Sequence, residues 1–454
     1  MNAPLLFRRI PVVGLLALTL LVDSCRRNDE PEAPQKPVNS AASISADVAT
    51  QWADLSLRLI RTTPGFSPPV ASRALGYAGV ALYESVVPGL SEYQSLIGQL
   101  NGLSSLPKAD PTLDYHWGVS ANTAQAFIFK NLFANTSAVN KITIDSLEAV
   151  FIGRYRTEDK LTQEIYDRSA QFGRSIATAL FEWSKTDRGH EGYTRNQPTT
   201  YVAPAGPGKW IQTTLGTAGL AMQPFWGQNR TFLAANASLV APAPMAYATS
   251  SSSPFFAQAL EVYSIGKNLT EEQKTIARFW ADGGGTVTPP GHSWNLTTLA
   301  LKKADTKLDK AAETYARVGM AVADAFICCW KAKFTFNTIR PLSYIKTVID
   351  PNWQSLIPAP PFPEYMSGHS TQAGATGQVL SDLFGYNFSF SDNTHANRGF
   401  APRTFRNFYD AADEAAISRL YGGIHFRQAN ENGLSEGKKI GRNISTMKFK
   451  RAAQ

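Results

Sequence analysis

Three short stretches in the C-terminal part of this 454-residue chain carry side chains that could do chemistry together. Lys333 and Arg340, followed by Pro341, read K-x6-R-P; Ser367, Gly368 and His369 read S-G-H; Ser418, Arg419 and His425 read S-R-x5-H, with Gly422 and Gly423 inside the gap. Lys333, Arg340 and Arg419 supply three cations, and Ser367 with the Gly368 backbone supplies neutral donors. That is the composition of a cage for a tetrahedral oxyanion. The arginine fork matches oxyanion geometry, lysine acts as a point charge, and glycine lets a backbone N–H come close. Two histidines remain, one to attack or ligate the central atom and one to move protons. Any one stretch alone reads as a solvated basic residue or a satisfied core histidine; the joint occurrence carries the inference.

These motifs resemble those of the vanadium-dependent haloperoxidases and of the type 2 phosphatidic acid phosphatase superfamily to which they belong. The resemblance covers residues 268–443 well and the N-terminal half weakly. It implies an all-α fold with a core of two four-helix bundles, a vanadate cofactor, and hydrogen peroxide and halide as substrates. Carried over residue by residue, it implies that His425 binds the metal and that Lys333, Arg340, Ser367, Gly368 and Arg419 hold the vanadate oxygens. His369 is then the acid–base group, Lys333 adds polarisation of the peroxide, and hypohalous acid is the product. Trp330 and Phe362 match aromatic positions beside the vanadate, where an apolar wall would desolvate a halide; core residues would look the same. The general likeness to bacterial iodoperoxidases ranks iodide ahead of bromide and chloride.

One position departs from the pattern. Relatives with phosphatase activity commonly carry aspartate four residues after the last histidine, and here that position is Ala429. Another acceptor, such as a backbone carbonyl, has to orient the imidazole. Two alternatives stay open: an acid phosphatase using the same cage, with His425 as nucleophile and His369 as proton donor, and a non-enzymatic, lipid-tethered anion-binding protein.

With 43% hydrophobic and 18% charged residues the chain has the composition of a folded protein. The net charge of +8 raises nucleic acid as a partner, but the basic residues are dispersed, so none is expected. The positive field would draw small anions. Near the N-terminus Arg8 and Arg9 precede an apolar run at 10–22, too short to span a bilayer, then Asp23, Ser24 and Cys25. Residues 1–24 read as a signal peptide, and Cys25 as the lipidated first residue of a polar, proline-rich tether over 25–43. The protein is then exported and anchored to a bacterial envelope membrane, or simply secreted if Cys25 is unmodified; Val22 and Asp23 depart from the strict lipoprotein motif. Metabolic labelling with a fatty acid is expected to mark wild type and not Cys25→Ala, and an unlabelled, fully soluble wild type would establish secretion. The adjacent Cys328 and Cys329 cannot meet ordinary disulfide geometry.

The elements that must position the cage are helical, within one domain over 44–454. Three-to-four spacing of apolar residues predicts helices from about residue 44, after Pro68 and Pro69, and over 116–133, 143–154, 161–183 and 257–265. Thr270 is placed to cap a helix running to Trp280. The clearest helix, 308–334, carries Ala312, Tyr315, Val318, Val322, Phe326 and Trp330 along one stripe and ends at Lys333, with Pro341 closing the next segment. Ser367 opens a helix whose N-terminal N–H groups favour an anion. Two more helices bracket Gly422 and Gly423, while 192–254 reads as a connecting region draped over the core. Asp282 is either a carboxylate supporting the site or an exposed turn residue, and His292 is equally open. Surface or satisfied polar roles suffice for His116, His190 and His395.

Overall fold

Apolar spacing and capping residues account for most helix boundaries in the computed structural model, which describes residues 40–212 and 220–452. The expected signal peptide, Cys25 and the expected tether up to residue 39 lie outside the described residues. Helix α1 (Asp47–Thr62) buries Val48, Trp52, Leu55 and Leu59. Helix α2 (Pro68–Val86) starts with proline in its first turn, where no backbone N–H is missed. The N-terminal half continues with α3 (Trp117–Leu132), α4 (Ala138–Glu158) and α5 (Gln163–Ser184). His116 caps α3 by accepting from the Val119 N–H and also faces Asp159, so it has the satisfied polar role expected of it.

The connecting region contains only one short α-helix among its described residues, α6 (Ala234–Ala237). Asp324, buried in the next long helix, fastens it by accepting from the Phe232 and Leu233 N–H groups and the Asn236 amide. Helices α7 (Pro254–Lys267) and α8 (Glu271–Phe279) follow, the second opened by a full capping box of Thr270 and Gln273. Pro289 and Pro290, which the sequence did not mark as helical, lie in the first turn of α9 (Thr288–Lys303).

Helix α10 (Leu308–Phe336) is the axis of the molecule. It packs on α2, which in turn packs on α3 and α5. On its other side it packs on α12 (Gly368–Phe384) and α14 (Arg427–Ser445), which enclose α13 (Phe408–Tyr421) with them. Of the two expected four-helix groups, α10, α12, α13 and α14 form one. Pro341 ends the segment after Lys333 and opens α11 (Pro341–Val348), because its fixed φ and missing N–H suit a first turn. A two-stranded antiparallel ribbon, β1 (Phe390–Asp392) and β2 (Arg403–Phe405), was not anticipated, and it carries Asp392 to the site described next.

Candidate active site

Every candidate cage residue sits at the end of a helix, which is why a few terminating signals bring them together. Lys333 lies in the last turn of α10, which Asn337 ends in the left-handed conformation, its N–H donating to the Lys333 carbonyl. Arg340 is the residue before α11, Ser367 caps α12, and Arg419 is in the last turn of α13. His425 stands just before α14, after Gly423 at φ 73°. A side chain at Gly422 would strike Ile357, so the glycine pair lets this loop pass close against residues 353–357.

His425, Arg419, His369 and Gly368 line a cavity of about 620 Å³ with Trp330 and Phe362. Lys333, Arg340 and Ser367 are fully buried beside them and do not line it. All three donors of Lys333 are met by the carbonyls of Pro363, Glu364 and Met366, so its ammonium organises the 363–366 backbone. Burial pulls that ammonium down to about 7. Arg340 donates to the carbonyls of Phe362, Pro363 and Ile424, and its Nη1 lies 3.2 Å from His425 Nε2. Burial lowers the pKa of both arginines, yet a guanidinium keeps its charge. Ser367 Oγ accepts from the Ser370 N–H and hydroxyl, which leaves its own hydroxyl hydrogen to donate.

The group that orients His425 is Glu364, which sequence reasoning missed. Its Oε1 accepts from His425 Nδ1 at 2.8 Å and from the Phe426 N–H at 3.0 Å. A carboxylate thus takes the place proposed for a backbone carbonyl. Ala429 is buried, and its own carbonyl accepts from the Ser367 N–H. With the proton on Nδ1, His425 presents the Nε2 lone pair toward Arg340. Burial, then Arg340, Lys333 and Arg419, hold the ring far below the usual histidine pKa, so it stays neutral. The one signal for Glu364 was a charged residue in the proline-rich approach to Ser367.

Trp330 and Phe362 pack with their rings tilted at 50° and their centres 4.9 Å apart, with Lys333 and Arg340 each 5.0 Å from the Phe362 ring centre. This is an apolar wall backed by positive charge. Among the described residues, four that line this cavity carry a buried side-chain atom with no hydrogen-bond partner, Ser67 Oγ, Thr288 Oγ1, Arg419 Nε and His369 Nε2, and the last two belong to the candidate cage. Arg419 Nη1 is held by the Trp280 carbonyl at 2.6 Å, and His369 Nε2 lies 3.8 Å from Asp282 Oδ2. An unpaired arginine donor and an unpaired imidazole nitrogen beside a surplus of cations fit a bound oxyanion.

Asp282 is fully buried, which decides between the two roles open to it in the sequence. Its carboxylate accepts from His292 Nδ1 at 3.0 Å and His395 Nε2 at 2.8 Å, and the other nitrogen of His292 faces Asp392 at 2.7 Å. His395, expected to fill a surface or satisfied polar role, is a buried partner of Asp282. Asp282, His292 and His395 also offer one ligand atom each within 4.8 Å of one another, a second place where the described residues could hold a metal.

A family model described as the VCPO second helical-bundle domain matches residues 313–453. Vanadium chloroperoxidase of Curvularia inaequalis is 34% identical over 128 residues, a stretch covering 22% of this chain and 21% of that protein. The structure of a bacterial vanadium-dependent iodoperoxidase superposes with a TM-score of 0.82 at 33% identity, covering 92% of this chain and 99% of that one. A bacterial vanadium-dependent chloroperoxidase shares the fold, with a TM-score of 0.65 at 17% identity over 84% of this chain and 92% of that one. An all-helical body with this match across nearly the whole of both chains defines the class as a vanadium haloperoxidase. The chain belongs to the vanadium-dependent haloperoxidase family, and is an enzyme of the peroxidase type.

Proposed function

We propose that the chain uses vanadate to oxidise halide with hydrogen peroxide, iodide ahead of bromide and chloride. The reaction consumes one halide, one peroxide and one proton and yields hypohalous acid and water; the halide loses two electrons and the O–O bond gains them. The observation that carries this reading is the neutral His425, its Nε2 lone pair held among cations beside the unpaired Arg419 Nε–H and the unpaired His369 Nε2. Bound vanadate supplies a Lewis-acidic centre that activates peroxide without changing its own oxidation state. His425 Nε2 would hold the metal; Arg340, Arg419, the Ser367 hydroxyl and the Gly368 N–H would hold its oxygens, and Lys333, whose three donors go to carbonyls, would add positive charge from behind the wall. His369 Nε2 would carry the proton that the reaction consumes. The wall of Trp330 and Phe362 would strip water from the halide, and iodide, the most weakly hydrated of the three, loses least there. The extended match to an iodoperoxidase supports the same order.

A second reading has a specific observation behind it. Ala429 in place of an aspartate argues against phosphatase chemistry only if His425 lacks a carboxylate partner, and Glu364 supplies one. His425 is therefore oriented as a phosphatase nucleophile would be. One experiment separates the two. Vanadate added to the purified apoprotein is expected to bring peroxide-dependent iodide oxidation, read as triiodide absorbance, and phosphate is expected to suppress it by competition. Metal-free hydrolysis of a phenyl phosphate ester, inhibited by vanadate and without vanadate-dependent iodide oxidation, would overturn the assignment.

A further inference from the structure

His292 touches none of the cage residues, yet it is among the most tightly held side chains near them. It projects from the first turns of α9, and both ring nitrogens face carboxylate oxygens, Nδ1 to Asp282 at 3.0 Å and Nε2 to Asp392 at 2.7 Å. Neither carboxylate is exposed at all. Two buried anions on one ring require both nitrogens to donate, which makes the ring an imidazolium. Asp392 is further fixed by the Thr394 N–H and hydroxyl at the end of β1.

The ring has a second contact toward the cage. Trp280 stacks on it at 4.3 Å and 11°, and the Trp280 carbonyl is the acceptor for Arg419 Nη1. Asp282 itself has positive φ, 44°, an uncommon conformation for a residue with a side chain, and its Oδ2 points at His369 Nε2. We propose that His292, clamped between Asp282 and Asp392, is a positioning residue that fixes Asp282 beside His369 and the Trp280 carbonyl beside Arg419. His395 completes the clamp by donating Nε2–H to Asp282 Oδ1. The catalytic consequence rests on the cage reading given above; the clamp itself does not.

Three measurements test it. Histidine-selective 15N NMR of the vanadate-free wild type, at a pH about two units above free histidine's pKa, is expected to show one doubly protonated ring with protons shifted by a stacked indole. No such ring among the six histidines overturns the proposal. Elemental analysis is expected to find no stoichiometric divalent metal; one that departs in His395→Ala would make His292 Nδ1 a ligand and overturn the proposal as well. The third uses the charge-matched double variant His292→Gln/Asp392→Asn, because His292→Gln alone would leave two uncompensated carboxylates. It is expected to bind vanadate within about threefold of wild type while kcat falls about tenfold and the pH profile shifts, a partial loss on the scale of acid–base catalysis. A folded double variant with wild-type kcat and pH profile overturns the proposal. If wild type oxidises no iodide, the catalytic reading of the cage falls, and the NMR result still decides the clamp.

Discussion

His425→Ala is expected to lose bound vanadate almost completely, whereas His369→Ala keeps the vanadate and turns over about 10² to 10⁴ times more slowly, the usual worth of a positioned proton donor. The difference follows from how each ring is held. His425 is locked on both nitrogens, Nδ1 to Glu364 and Nε2 beside Arg340, and its lone pair is the one neutral nitrogen ligand aimed into a cluster of cations. Alanine there removes the ligand and leaves the cations facing one another. His369 has its Nε2 without a partner and close to Asp282, the arrangement of a group that gives and takes a proton. Vanadium content after desalting and single-turnover iodide oxidation separate the two roles. Equal loss of vanadium in both variants would collapse the distinction.

The residues that could be read from the sequence are those next to helix-ending signals. Asn337 ends α10 between Lys333 and Arg340, Pro341 follows Arg340, Ser367 caps α12, and the glycine pair separates Arg419 from His425. Local chemistry sets such boundaries, so a sequence shows them directly. The same reasoning placed α1, α2, α10 and the Thr270 cap. Of the supporting acids only Asp282 was marked, as one of two alternatives, and its partners were not legible. Glu364 meets His425 across 61 positions, Asp392 meets His292 across 100, and His395 meets Asp282 across 113. Each lies outside the α-helices, where no periodicity marks a side chain as inward, and Asp392 and His395 sit in a polar stretch that reads as surface. Lys333 shows the limit from the other side: its residue type pointed to an anion, but its three hydrogen bonds go to carbonyls of residues 363, 364 and 366.

Glu364→Ala is expected to weaken vanadate binding by about ten- to a hundredfold, the range found when the partner of a metal-bound histidine is removed. Glu364 Oε1 is the shared acceptor for His425 Nδ1 and the Phe426 N–H. Losing it frees the ring to rotate or to move its proton to Nε2, and either change takes the lone pair out of the cage. The Phe426 N–H would also be left buried and unpaired, at about 1–3 kcal/mol, so a lower melting temperature should accompany the loss. Glu364→Gln separates geometry from charge. Its amide oxygen can still accept from Nδ1–H, so the tautomer and the fold should survive with a loss of less than about tenfold, below the range for removing the partner. If the carboxylate acted mainly by offsetting the charge of Arg340 and Lys333, glutamine would be as damaging as alanine. Titration of both apoproteins with vanadate, followed by tryptophan fluorescence with Trp330 on the cavity wall as a reporter, gives the two affinities. An alanine variant that binds vanadate as tightly as wild type would show that Arg340 and the backbone around Ile424 orient His425 without Glu364.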